Sequence, residues 1–229
     1  MDWKRHYEEL RQEEAEDPFL HPQDWQMLLA ERVREAAGGG RLLEAGCGLG
    51  GTSLAVGASV ARVLLDAEPK AIQLAQAGFA RAGQTATFTV GDLFHLPFRD
   101  ASFAVVFNAG VVEHFGFAQR RAALCELARV TRPGGRVIVA FPNHYWLPYR
   151  FAYRYRKARG TWGYPEEERI YDLAEELRAV EGLVALSRET CAEEALLFFL
   201  NRWQQRLFRG LRRLLRFEGY LTIVTLQKQ

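Results

Sequence analysis

Short apolar runs recur along this chain with helix-compatible stretches between them, and that alternation restricts the fold more than any other feature. RLLEAG (41–46), ARVLLDA (61–67), ATFTVGD (86–92), FAVVFN (103–108) and RVIVAF (136–141) are brief, β-rich and bounded by Gly, Asp, Asn or Pro. They predict five strands. Between them lie residues 51–58, then EPKAIQLAQAGFARAG, then FAQRRAALCELARVTRPGG, whose final Pro and Gly stop a helix. Repeated strand–helix–strand units pair in parallel, so an α/β, doubly wound sheet is expected.

The flanks are less regular. The first 40 residues read as two helical pieces broken at EDPFLHP, with Asp24 as candidate N-cap and GGG (38–40) as terminator. After the fifth strand, residues 143–165 are aromatic and basic without a clear period, which suggests an insertion. A helix at about 166–181, a strand at 182–190, a long helix at about 192–217 and a last strand at 219–228 are expected beyond it. A chain of 229 residues can bury one substantial core. The expected organisation is one domain over 1–229, comprising a helical cap (1–40), a ligand-binding core (41–142), the insertion (143–165) and a C-terminal completion of the sheet (166–229).

Charge and cysteine content exclude several classes. A net charge of +2 gives no global argument for nucleic acid. The three cysteines, Cys47, Cys125 and Cys191, show neither CxxC nor zinc spacing, so a reducing, cytoplasmic setting is expected. His6, His21, His95 and His144 likewise lack mutual ligand spacing. The N-terminus is charged rather than signal-like, and no apolar run approaches the roughly 20 residues that span a bilayer.

Directly behind the first strand stands LLEAGCGLGG, with glycines at 46, 48, 50 and 51. Glycines there let the chain turn sharply and bring backbone N–H groups up to a ligand at a helix N-terminus. Asp66 ends the second strand 20 residues beyond Gly46, where an acid can accept hydrogen bonds from two ribose hydroxyls. Asp92 ends the third predicted strand and Asn108 the fourth. Strand ends of a parallel sheet converge on its carboxyl edge, so a ligand with a ribose and a heterocycle is implied.

These blocks resemble the class I S-adenosylmethionine-dependent methyltransferases, in particular the small-molecule, type 11-like branch. LLEAGCGLG is similar to the first motif of that family, LLDAEP to its ribose-binding acid, GDLFHLPFRDASFAVVFNAGVVEHF to its third and fourth strand segment, and RVTRPGGRVIVAFPN to its fifth-strand entry. The resemblance covers about residues 40–142 and implies a Rossmann-like sheet of seven strands, mostly parallel with the last antiparallel. It implies S-adenosyl-L-methionine as cofactor, its methionine end held by Glu44 and the backbone of Gly46, Cys47 and Gly48, with Gly50 completing the loop. Asp66 would bind the ribose, Ala67 the adenine face, Asp92 the adenine amine, Leu93 the ring through its N–H, and Asn108 and Ala109 would lie near the sulfonium.

The expected reaction is methyl transfer to a small-molecule or lipid-like acceptor, with oxygen favoured over nitrogen or carbon; the alternative is a non-catalytic protein that binds the cofactor and acts through a partner. Glu113 and His114 follow the fourth strand, where a His can serve as general base. Some related quinone O-methyltransferases carry an acid three residues earlier that helps bind a divalent metal; that position is Gly110 here, and no metal is expected. Tyr145, Trp146, Trp162 and Tyr164, from the aromatic insertion, are candidate acceptor-binding residues. Arg202, Arg206, Arg209, Arg213 and Arg216 form a cationic stripe opposite Trp203, Leu207 and Leu211. That amphipathic stretch, 196–217, suits an anionic acceptor or a membrane surface, although packing of its apolar face on the sheet is the favoured expectation. A nucleic-acid substrate is not expected, because NAGVVEH lacks the Asn/Asp-Pro-Pro-aromatic motif.

Overall fold

The computed structural model describes residues 3–10, 24–192, 202–214 and 218–229. The expected break at EDPFLHP, His21, the start of the long helix and Arg216 lie outside these residues.

Seven strands form one sheet: β1 (Leu42–Ala45), β2 (Arg62–Asp66), β3 (Thr87–Val90), β4 (Phe103–Ala109), β5 (Thr131–Pro142), β6 (Leu183–Cys191) and β7 (Leu221–Lys228). Their order is β3-β2-β1-β4-β5-β7-β6. β1 to β5 pair in parallel, and β7 lies antiparallel between β5 and β6. The α/β doubly wound sheet with an antiparallel last strand is therefore the observed fold. The helices are α1 (Trp3–Glu9), α2 (Asp24–Ala37), α3 (Gly51–Val56), α4 (Pro69–Arg81), α5 (Phe117–Val130), α6 (Leu147–Ala158), α7 (Ala174–Leu177) and α8 (Arg202–Leu214). None of the described helices is long and apolar enough to cross a membrane.

The continuous apolar runs are explained by burial on both faces. Leu43, Val106 and Val139 face one core with Leu124 and Leu127 of α5. Their chain neighbours Leu42, Val105 and Ile138 face the other, against Leu29 and Val33 of α2. Each such side chain, fully buried, contributes roughly 1.5–3 kcal/mol relative to exposure. The strand order reverses direction between β1 and β4, so the crevice at their carboxyl ends is the position where such sheets bind ligands.

Four expectations need correction. The fifth strand begins at Thr131, not 136: TRPGG belongs to the strand as a bulge, with Thr131 opposite Phe103 and Arg136 opposite Val105. Residues 143–165 contain a regular helix, α6, whose buried Pro148, Tyr149 and Ala152 and exposed Leu147, Phe151 and Tyr155 put apolar groups on both faces and so erase the period. The helix expected at 166–181 shrinks to α7, because its first part is drawn out along the loop after β4: the Glu168 N–H donates to the Glu113 carbonyl at 2.7 Å. The leucine face of α8 does not pack on the sheet within the described residues. Trp203 (69%), Leu207 (48%) and Leu211 (39%) are exposed, and Phe208, about a quarter-turn away, is the residue that packs beside Trp146.

Candidate active site

The loop after β1 is shaped by glycines with different tasks. At Gly48, φ is 52°, and an added Cβ would lie 2.9 Å from the Tyr7 hydroxyl. The missing side chain makes room for α1 above the loop. At Gly50, φ is 75°, and an added Cβ would lie 2.6 Å from Leu64 Cδ2 and 3.1 Å from Phe79 Cε2. Gly50 thus serves the seating of α3 and α4 on the sheet.

A cavity of about 280 Å³ opens above this loop. Gly46, Cys47 and Gly48 of the loop line it together with Asp66 and Ala67 after β2, Asp92 and Leu93 after β3, and Ala109 at the end of β4. Eight of the eleven positions expected to hold the cofactor are thus brought together. Asp66 Oδ2 accepts the Gly48 N–H at 2.8 Å and Oδ1 accepts the Glu68 N–H at 3.0 Å. Burial raises its carboxyl, while the N–H groups of Glu68, Gly48 and Ala67 pull it back toward ionisation. Asp92 Oδ1 accepts the Phe94 N–H at 2.9 Å, closing a turn that presents Leu93 and Phe94 to the cavity.

Three expected positions stand elsewhere. Gly50 lies in the packing described above. Asn108 is fully buried, its Nδ2 donating to the Ala45 carbonyl at 2.5 Å, so that it ties the ends of β1 and β4 together below the cavity. Glu44 is buried beneath α3, and burial drives its carboxyl up to about 8, against the nearby Ser53 and Arg62. The Cys47 thiol is also pushed well up by burial, which speaks against a nucleophile.

Among the wall residues that the sequence did not single out, Leu65, Glu68, Gly91, Phe94, Gly110, Val111 and Phe115 flank the expected positions, whereas Trp3 and Tyr7 come from the distant α1. Their spacing of four on a helix was the only available signal.

A second cavity of about 350 Å³ adjoins the first and shares Trp3 and Gly110 with it. Glu113 and His114 line it from the short 3₁₀ turn Val112–His114. Glu113 is 2% exposed, and its Oε2 has no hydrogen-bond partner among the described residues. Burial holds its carboxyl well above the usual range. His114 Nδ1 lies 2.9 Å from the Glu166 carbonyl. A carbonyl only accepts, so Nδ1 carries the proton and the Nε2 lone pair is left as an acceptor. Burial lowers the pKa of this imidazole and keeps it neutral. From the opposite side, Glu167 Oε2 receives the Tyr149 hydroxyl at 2.5 Å and stands 2.9 Å from His144 Nε2.

Of the aromatic candidates, Trp162 and Tyr164 line this second cavity. Tyr145 and Trp146 do not: Tyr145 is 53% exposed and packs edge-on against Tyr171, and Trp146 is buried beside Phe208. Tyr149, Tyr220 and Trp25 take their places.

Residues 43–139, the strands and loops that build the first cavity, match the family described as a methyltransferase domain. That match spans the core of this chain. Members of this methyltransferase family draw their methyl group from S-adenosylmethionine. An uncharacterized methyltransferase, YodH, of Bacillus subtilis is 33% identical over 98 residues, 42% of this chain and 41% of that protein. The O-methyltransferase rstn1 of Aspergillus nomiae is 34% identical over 117 residues, 49% of this chain and 50% of that protein. The chain therefore spans half or less of these curated relatives. In fold, it is similar over the whole of both chains to the PH0226 protein of Pyrococcus horikoshii, with a TM-score of 0.67 at 16% identity.

Proposed function

We propose that this methyltransferase uses S-adenosylmethionine to methylate a small acceptor seated in the second cavity. The observation that carries the reading is the pair of adjoining cavities: one lined by the glycine loop and the acids Asp66 and Asp92, the other by aromatic rings and two carboxyl groups. The residues of the first fit the cofactor. Asp66 offers a carboxylate for ribose hydroxyls, Ala67, Leu93 and Phe94 offer apolar surface for a planar base, and the Gly46–Gly48 turn admits a ligand against the backbone. S-adenosylmethionine supplies a sulfonium-bound, electrophilic methyl group, so the protein's task is to orient the acceptor and manage its proton.

Within the second cavity we assign the uptake of that proton to Glu113 or the His114 Nε2, both of which line it. Trp3, packed edge-on against His114 at 5.0 Å, lines both cavities. A second reading, an oxygen acceptor, is favoured by the O-methyltransferase relative and by the neutral His114, which suits a phenolic or enolic hydroxyl. The test is formation of S-adenosylhomocysteine with a panel of amines, phenols and alcohols. Turnover abolished by Asp66→Ala supports the reading. Cofactor binding without turnover on any acceptor would favour a non-catalytic protein that acts through a partner.

A further inference from the structure

The second cavity has a chemical bias that neither the family nor its relatives supply. Its walls carry six aromatic side chains, Trp3, Trp25, Tyr149, Trp162, Tyr164 and Tyr220. Aromatic faces are electron-rich and attract cations, each by about 0.5–2 kcal/mol according to desolvation. Two carboxyl groups, Glu113 and Glu167, face the same space. Opposite them stand only Arg156 and His114 among the ionisable bases of the lining, and burial keeps His114 neutral.

The two acids are not equivalent. Glu167 is occupied by Tyr149 and His144. Glu113, almost wholly buried, lines the cavity and keeps one carboxyl oxygen unpartnered among the described residues. Glu176, for comparison, is equally buried and receives Arg120 at 2.7 Å. Glu44 also keeps an unpartnered oxygen, but it lies beneath α3 and lines neither cavity. A buried carboxyl group without a donor is costly, by about 1–3 kcal/mol or more, unless a ligand provides one. An anionic acceptor would add repulsion to that cost; a neutral hydroxyl would meet it with one hydrogen bond and no charge.

We propose that the second cavity is an ammonium site: its acceptor is an amine that enters protonated, is surrounded by the aromatic rings, and pairs with the Glu113 carboxylate. Glu113 then takes one N–H proton, becoming the neutral acid and leaving the nitrogen lone pair free. Burial raises the proton affinity of this carboxyl in the empty cavity, and the charge of the entering ammonium is what holds it ionised until the N–H proton passes to it. Arg156 at the rim sets a limit on how far positive charge can extend from the nitrogen. The proton step rests on the methyl-transfer reading; the selection of a cation stands on the cavity itself.

The experiment compares 2-phenylethylamine, 2-phenylethanol and phenylacetate, of similar shape and of charge plus, zero and minus, by calorimetry and by tryptophan fluorescence, since three of the lining residues are Trp. The full chain is first saturated with S-adenosylhomocysteine. The amine should bind at least tenfold more tightly than the alcohol, and phenylacetate should not bind at the same concentrations. Glu113→Gln should erase the preference for the amine over the alcohol while leaving alcohol binding within about twofold. Equal or tighter binding of the alcohol or the acid to the unmodified protein overturns the proposal, as does absence of binding for every amine in a series from trimethylamine to 2-phenylethylamine. The comparison on the unmodified protein holds even if the variant fails to fold. Failure to bind S-adenosylhomocysteine would instead count against the methyl-transfer reading and leave the amine comparison intact.

Discussion

The backbone N–H of Gly48 donates to the side chain of Asp66 at 2.8 Å, so the tip of the glycine loop is fastened to the end of β2 before any ligand arrives. The same carboxylate is held from the other side by the Glu68 N–H. Asp66 is therefore both a wall of the cofactor cavity and a brace for the loop. Replacing it with Ala removes both, and cofactor affinity should fall at least about tenfold, or about 1.4 kcal/mol, by titration calorimetry. Asp66→Asn keeps an acceptor for one N–H and should lose less. Unchanged affinity in Asp66→Ala would refute the ribose assignment.

Glu44 makes stability depend on pH. Its carboxyl is raised from 4.5 to about 8 in the folded chain. Between these values the folded state keeps a proton that the unfolded state has shed, so stability is full below pH 4.5, falls as pH rises, and levels off above about 8. The slope from this one group is about 1.4 kcal/mol per pH unit. Glu44→Gln, which is neutral throughout, should flatten urea midpoints across that window and raise stability at the alkaline end. A smaller slope of the same sign should survive, because burial raises Glu113 as well.

Arg120 is the bolt between α5 and the segment that closes the second cavity. It donates to Glu176 at 2.7 Å, to Glu168 at 2.5 Å and to the Phe115 carbonyl at 2.6 Å. Arg120→Ala strands the buried Glu176 and should cost about 3–5 kcal/mol in denaturant unfolding. Arg120→Met combined with Glu176→Leu should recover at least half of that loss.

Gly50 and Gly48 should fail differently. Gly50→Ala forces a left-handed backbone and a contact on Leu64, so it should lower stability by about 2 kcal/mol while the folded fraction binds the cofactor normally. Gly48→Ala carries a similar left-handed strain and in addition presses on the Tyr7 hydroxyl in the cavity wall, so it should lower stability and weaken cofactor binding together. Thermal unfolding alongside calorimetry separates the two.

Trp203 and Leu207 stand on the exposed face of α8. Changing both to Ser should move the unfolding free energy by no more than about 0.5 kcal/mol per site. A loss of several kcal/mol would mean that this face is covered in solution.

How legible each feature is in the sequence depends on how local its requirement is. The strands of the parallel core are buried on both faces, so they read as unbroken apolar runs, and the glycines and strand-end acids of the cofactor cavity lie within or beside them. The second cavity has no such local signature. Trp3, Trp25, Tyr149, Trp162 and Tyr220 come from five separate places in the chain and meet only through the tertiary fold. Tyr145 and Trp146 precede α6, Tyr145 exposed and Trp146 buried beside Phe208, whereas Tyr149 lies inside α6 on its buried side with Pro148 and Ala152, a phase hidden by apolar residues on both faces of the helix. Asn108 and Glu44 illustrate the converse: both occupy the expected strand positions, yet their side chains brace the sheet and α3 rather than reach the cavity.

Trp3 belongs to the walls of both cavities. A wall held in common is an energetic link wherever an occupant of one cavity shifts the position of Trp3 in the other. Linkage then requires each to tighten the other by the same factor. The same seven-residue helix therefore bounds both chambers, so that a substitution at Trp3 alters the wall of each at once.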